Sequence, residues 1–305
     1  MSSAPTLTVT FIRHGESTDN LQSLWAGWKD SPLSNHGMNA SSHLPKALGS
    51  SLSHIRFSAI HASPLKRALW TAQALHDAQS EPKPPFETSL LLREQHWGIA
   101  EGNPWIMHRI PDLTLEDHFA QGLYPVLHDR SQRFPEGESL NDLADRAKAA
   151  IEELVMPHVL RAAREGMKGI HIAVVSHGLC ISELVPALLL KDASGVHPEN
   201  KYRGLLNTAW TRVTVDVKSL KGGTGEALEF VDDEPPLAIR VTDFNRHDHL
   251  HGVARQKGGI GSAGYDPKQQ DIRAFFGGGE SKAKTEPEEG RSESNARDES
   301  DVEIQ

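Results

Sequence analysis

Two strand-like runs of this chain end in the same pair of residues. "LTVTFIRHG" (7–15) closes on His14 and Gly15, and "IAVVSHG" (172–178) closes on His177 and Gly178, 163 residues later. Continuous β-branched and aliphatic runs of this kind suit strands buried on both faces of a sheet. If the two strands run parallel, both histidines leave the sheet at its carboxyl edge, where open α/β sheets bind their ligands. Each glycine lets the backbone turn straight after the histidine.

Elsewhere strand and helix patterns alternate. "HIRFSAIHAS" (54–63) predicts a further strand. "NASSHLPKALGSSL" (39–52), "PLKRALWTAQALHDAQ" (64–79) and "SLNDLADRAKAAIEELVMPHVLRAAREG" (139–166) predict helices. This order implies an α/β domain with a mainly parallel sheet. "TRVTVDV" (211–217) and "LAIRVTDF" (237–244) predict late edge strands, in the antiparallel sense.

The 305 residues divide near residue 250, into an α/β domain over 1–250 and a tail over 251–305. The tail is rich in Gly, Ser, Glu and Lys and poor in large apolar residues, so disorder is expected there. Residues 280–305 carry nine acids against four bases, more than half of the net charge of −9. That balance gives no support to direct nucleic-acid binding. A single cysteine, Cys180, excludes a disulfide framework and suits a reducing compartment. No run reaches the roughly 18 apolar residues of a membrane span, and the N-terminal segment has no basic, apolar leader pattern. The expectation is a soluble protein of the cytoplasm.

The residues around the strand ends form a chemical set. Arg13 offers a planar, permanently charged fork suited to phosphate. His14 is a nucleophile that needs no deprotonation at neutral pH. Ser17, Thr18 and Asn20 follow where backbone N–H groups attract an anion. "SPLKRALWTA" (63–72) places Arg67 one helical turn after Ser63, and "LLREQHWGIAEG" (91–102) places Glu94 before a turn at Gly98. Two histidines, two arginines and a carboxylic acid make an inventory for phosphoryl transfer without metal or organic cofactor. "NRHDHLHG" (245–252) brings three histidines together, but its spacing matches no metal pattern, and no metal site is expected. Cys180 reads as a buried thiol.

"RHGESTDN", "GWKDSPLSNHG", "SPLKRALWTA", "LREQHWG", "FPEGESLNDLADR" and "VVSHG", in that order, resemble the histidine phosphatase superfamily in its phosphoglycerate-mutase-like branch. The resemblance runs from about Leu7 to Asn207 and implies a three-layer α/β/α sandwich. It also implies His14 as the nucleophile, with Arg13, Arg67 and His177 lining the phosphate pocket and Asn20 adding a side-chain donor. Gly27, Trp97 and Gly178 fall in the substrate-binding stretches. Glu94 would protonate the leaving group and then activate water, its pKa raised by burial beside "LLR" and Trp97.

Two activities fit this family. A mutase must hold a second acidic group, and the family's mutases carry a lysine and an arginine pair after the glutamate motif. Here Trp105 stands where the lysine would align, and no adjacent arginines follow. Arg109, Arg130 and Arg133 remain as candidates, in a region (105–135) that reads as a lid. A phosphatase acting on a small phosphorylated substrate or a phosphopeptide is the preferred reading, and a mutase the alternative.

The tail adds a different signal. In "QQDIRAFFGGG", Gln269, Ile272, Phe275 and Phe276 fit Q-x-x-[ILM]-x-x-[FY]-[FY], which resembles the box that binds the sliding clamp, proliferating cell nuclear antigen. Such anchors fold on binding, at helical spacing. Self-docking of the two phenylalanines on the catalytic domain is the competing expectation. Clamp binding implies a nuclear fraction, and a scaffold with a vestigial phosphatase domain is the non-catalytic alternative.

Overall fold

The computed structural model describes residues 5–42, 47–198, 202–217 and 235–266. The chain opens with strand β1 (Leu7–Arg13), helices α1 (Asn35–Ser41) and α2 (Leu48–Leu52), strand β2 (Ala59–Ala62), helix α3 (Lys66–Asp77) and strand β3 (Phe86–Thr88). A cross-connection follows, with β4 (Trp105–Ile106), α4 (Leu115–Ala120) and β5 (Tyr124–Pro125). Then come α5 (Leu140–Ala150), a π-helical stretch (Ile151–Val155), α6 (Met156–Arg164), β6 (Ile170–Ser176), α7 (Gly178–Leu189), β7 (Trp210–Val217) and β8 (Leu237–Arg246).

Six strands form one sheet in the order β3-β2-β6-β1-β7-β8. The four from β3 to β1 are parallel, and β7 and β8 are antiparallel additions, as the sequence predicts. Alternation along β1 sends Leu7, Val9 and Phe11 to one face, where they pack with α5, α6 and α7. Ile12, Ile60, Ala173 and Val175 pack on the other face with α2 and α3. Two helical layers therefore enclose a mainly parallel sheet.

Three elements differ from expectation. The helix expected over 39–52 is two short ones. Ser34 caps the first by accepting the Gly37 N–H at 2.9 Å, so it starts early, at Asn35. The second strand is only Ala59–Ala62, because Phe57 turns into the cluster under α2 and α3. The long helix begins at a capping box between Ser139 and Asp142 but is interrupted by the π-helical stretch.

The 105–135 region is anchored by aromatics. Tyr124 and Phe134 pack with Trp25 and Trp97 in a separate buried cluster that Leu179 also touches. The compact unit ends at Tyr265, beyond the boundary expected at residue 250. Tyr265 N–H donates to the Leu33 carbonyl at 2.7 Å, and its ring meets Trp70 edge-on at 5.5 Å. Gln269, Ile272, Phe275 and Phe276 lie outside the described residues. Among the described residues no helix is long and apolar enough to cross a membrane.

Candidate active site

β1 and β6 pair in parallel with Arg13 opposite Ser176. His14 and His177 therefore both leave the sheet one residue later, as the two His-Gly ends require. Their ring centroids are 5.0 Å apart, and both side chains are buried, at 4% and 0% exposure. His14 Nδ1 bonds the Gly15 carbonyl at 2.6 Å. A carbonyl can only accept, so Nδ1 carries the proton and Nε2 keeps its lone pair. Burial, then Arg67 and Arg13, hold the His14 pKa well below its ordinary value, against the opposing Gly15 bond. The imidazole is neutral and nucleophilic at neutral pH.

His177 ends β6 and caps α7. Its Nε2 meets Ser63 Oγ at 2.8 Å, at the end of β2. Burial and the neighbouring Arg67, His14 and Arg13 lower its pKa as well. Its Nδ1 is buried with no hydrogen-bond partner among the described residues.

Arg67 is fully buried on the first turn of α3. Nη2 donates to the Gly27 carbonyl at 2.7 Å, whereas Nε is buried without a hydrogen-bond partner among the described residues. Burial lowers its pKa, with Glu94 the largest opposing charge. A guanidinium stays protonated even so. Arg13 leaves the end of β1 and donates to the Leu205 carbonyl. Its charge acts on both histidines. Two cations and two neutral imidazoles thus converge on one volume, which suits an oxyanion.

Glu94 is buried beside the start of α7. Leu179 N–H donates to its Oε2 at 3.1 Å, and Cys180 and Gln95 N–H groups donate to Oε1, each at 3.0 Å. Burial is expected for this carboxyl group and is found, and the backbone donors, two of them at the N-terminus of α7, fix it. Arg146 secures the segment behind it, donating to the Leu91, Arg93 and Glu94 carbonyls and pairing with Glu138 at 2.8 Å.

The remaining expected residues divide. Gly27 is a backbone support for Arg67, and a Cβ there would meet the Gln95 carbonyl at 2.7 Å. Gly178 lies against Arg13, where a Cβ would stand 3.5 Å from Nε. Asn20 is exposed, and its Oδ1 accepts from Ser17 N–H and Oγ at 3.0 and 3.1 Å. Trp97, expected against substrate, is buried instead against Trp25, with centroids 4.3 Å apart. It belongs to the packing beneath the 105–135 region.

Sequence reasoning missed several supports. Thr71 Oγ1 accepts the Gly15 N–H at 2.9 Å. Glu101 accepts the N–H groups of Trp28, Lys29 and Trp97 and so folds the segment that holds Arg67. Asn207 Nδ2 and Thr208 N–H both donate to the His14 carbonyl, at 3.2 and 3.1 Å. Only the three-dimensional neighbourhood reveals these, because each acts across a long sequence separation. Cys180 is buried, and burial pushes its thiol up to about 12, so it is inert at neutral pH. Among the described residues no group of three or more His, Cys, Asp or Glu side chains is arranged to hold a metal ion.

The comparisons with known proteins agree with this geometry. A family model described as the histidine phosphatase superfamily, branch 1, matches residues 9–221. The chain is 28% identical over 208 residues to a 2,3-bisphosphoglycerate-dependent phosphoglycerate mutase of Brucella ovis, covering 66% of this chain and 88% of that one. Mycobacterial glucosyl-3-phosphoglycerate phosphatase, solved with VO3, superposes with a TM-score of 0.53 at 23% identity, covering 78% of this chain and 98% of that one. Phosphoglycerate mutase of Bacillus anthracis gives a TM-score of 0.54 at 20% identity, covering 82% and 97%. The phosphoglycerate-mutase-like architecture expected from the motifs is the fold these structures share.

Proposed function

The chain belongs to the histidine phosphatase superfamily, branch 1, and we propose that within it this protein hydrolyses phosphomonoesters through a phosphohistidine on His14. The observation that carries the reading is the state of His14. It is buried and neutral, its Nδ1 proton is held by the Gly15 carbonyl, and two guanidinium groups stand by.

In the first step the Nε2 lone pair attacks phosphorus and the bond from phosphorus to the ester oxygen breaks. Glu94 is the group placed to give a proton to that oxygen as the alcohol leaves. In the second step Glu94 takes a proton from water as the water oxygen attacks phosphorus. The P–N bond breaks, the electron pair returns to Nε2, and inorganic phosphate departs. Arg13 and Arg67 supply positive charge to the phosphoryl oxygens throughout, the part a metal ion plays in other phosphoryl-transfer sites.

The names of the Brucella relatives favour a mutase. Against that stand the three candidate arginines of the 105–135 region. Arg109 donates to Gln132 at 2.9 Å, Arg130 forks onto Glu183 at 2.8 and 2.9 Å, and Arg133 pairs with Asp142 at 3.1 Å. Each is engaged within the fold rather than left to hold a second acidic group. Hydrolysis of one phosphate on a small molecule is the reading these contacts support.

Steady-state hydrolysis of an aryl phosphate in EDTA, wild type against His14→Ala, tests it. Turnover that survives EDTA and disappears in the variant is the expected result. Turnover that His14→Ala retains, or that EDTA abolishes, would overturn it.

The tail reading is separate and rests on the sequence of residues 269–276 alone. Docking of Ile272, Phe275 and Phe276 on a sliding clamp would bring part of the protein into the nucleus. Retention of the full chain on clamp-coated beads should be lost in the Phe275→Ala, Phe276→Ala double variant, and equal retention of both would rule it out.

A further inference from the structure

The family match ends at residue 221, yet the chain beyond β8 returns to the His14 loop and grips it at two places. The first grip is His249, in a 3-10 turn (Asp248–Leu250) and only 5% exposed. Its Nε2 lies 2.8 Å from Thr208 Oγ1. That hydroxyl spends its own proton on the Asn207 carbonyl at 2.6 Å, so His249 is the donor. Thr208 needs the support. It is a β-branched residue, fully buried, at φ +60°, a conformation that persists only where neighbours over-determine it. Its N–H holds the His14 carbonyl.

The second grip is Arg255. Its guanidinium forks onto Glu16, with Nη1 to Oε1 at 3.0 Å and Nη2 to Oε2 at 2.5 Å. Glu16 directly follows Gly15, whose carbonyl fixes the Nδ1 proton of His14. Ser34 holds Glu16 as well, by Oγ to Oε1 at 2.6 Å and by N–H to the Glu16 carbonyl at 2.8 Å. The strap is secured onward: Asn35 N–H donates to the Ala263 carbonyl at 2.9 Å, and Asn35 Nδ2 to the Ile260 carbonyl at 2.8 Å.

We infer that residues 247–265 form a strap that belongs to the catalytic apparatus of this chain, with Arg255 and His249 as positioning residues that hold the His14 loop from its two sides. Arg255 acts through Glu16 on the Gly15 carbonyl, and so on which ring nitrogen of His14 bears the proton. His249 acts through Thr208 on the His14 backbone. Both act through other residues, His249 through Thr208 and Arg255 through Glu16. Arg255 suits the task because a fork grips a carboxylate in one orientation, which a point charge does not.

The test uses the full chain and two substitutions, Arg255→Ala and Arg255→Lys. The Arg255 side chain is 38% exposed, so both variants should fold. The deciding readout is the tautomer of His14, read from long-range proton–nitrogen spectra of the imidazole rings. Wild type should show His14 protonated at Nδ1 alone. Arg255→Ala should show a mixture of both tautomers, and Arg255→Lys should lie between. The kinetic readout rests on the phosphatase reading: kcat should fall about tenfold in Arg255→Ala, from loosened positioning, with KM changed less than about twofold and partial recovery in Arg255→Lys. An unchanged tautomer in folded Arg255→Ala overturns the inference, whatever the rate. If wild type hydrolyses no phosphomonoester, the phosphatase reading fails while the tautomer still decides the strap.

Discussion

His14 and His177 stand with ring centroids 5.0 Å apart, each one residue beyond the paired strand ends Arg13 and Ser176. The parallel register of β1 and β6 brings the two residues side by side, and the Gly15 carbonyl and the Ser63 hydroxyl hold the rings. Both histidines are therefore set at the ends of the two central strands of the sheet. In the proposed mechanism they are the nucleophile and its partner, and the surrounding segments supply the charge and the proton donor.

The Ser63 hydroxyl holds His177 at Nε2 from the neighbouring strand. Ser63→Ala should leave the fold intact, since the side chain is small and fully buried. It should lower kcat about tenfold through misplacement of the imidazole, with a smaller change in KM. Steady-state kinetics on an aryl phosphate checks the split. A wild-type kcat would mean that packing alone orients His177.

Gly98 sits at φ +53°, and a Cβ there would collide with the Pro135 carbonyl and meet Gly137 N at 2.6 Å. Both the backbone angle and the space require glycine. Gly98→Ala should destabilise the protein by about 3 kcal/mol, read as a lowered urea midpoint, and should reduce activity through the adjoining Glu94 segment. A shift under about 1 kcal/mol would show that the turn relaxes freely.

Arg130 ties the 105–135 region to α7 through a bidentate pair with Glu183, whose side chain is 9% exposed. Removing the arginine leaves a buried carboxylate without its cation. Arg130→Ala should cost about 2 kcal/mol, and Arg130→Ala with Glu183→Gln should cost less than the sum of the two single changes. Urea unfolding of the four proteins measures the coupling. Strict additivity would show the tether to be idle.

Acid should weaken the fold earlier than carboxylates alone explain. Burial holds His158 near about 4 and His249 near about 4, and holds His171 near about 3, while His14 and His177 lie well below their ordinary value. These pKa values are depressed, so the unfolded chain takes up protons first. Their contribution is intact above about pH 6.5 and is lost as pH falls toward 4. Urea unfolding at pH 7.5 and pH 5 should differ by a few kcal/mol, because each fully desolvated histidine contributes up to about 2 kcal/mol over that interval. Equal stability at the two pH values would contradict neutral burial of these rings.

Much of this was legible in the sequence, for a physical reason. The strand ends, Arg67 and Glu94 lie in short motifs where composition and chemistry coincide, so the central sheet and the charged inventory could be read locally. What could not be read acts at a distance. Glu101 and Arg146 bind backbone carbonyls and N–H groups, which carry no side-chain signature. The packing of Trp97 against Trp25 is not legible either, because an aromatic beside Glu94 reads equally as a pocket wall or as core. The strap is not legible in the sequence because Gly and Lys around Arg255 look like disorder, and Glu16 and Asn35, which hold that segment, lie far off in the chain.

The most direct measurement is the fate of the transferred phosphoryl group. Protein mixed with a phosphomonoester in EDTA is quenched in alkali, where a phosphoramidate survives, and the peptide containing His14 is weighed by mass spectrometry. A phosphoryl group on His14, present in wild type and absent from His14→Ala, is the expected result. Release of phosphate with no phosphoryl group on His14, or with the group on another residue, would contradict the mechanism.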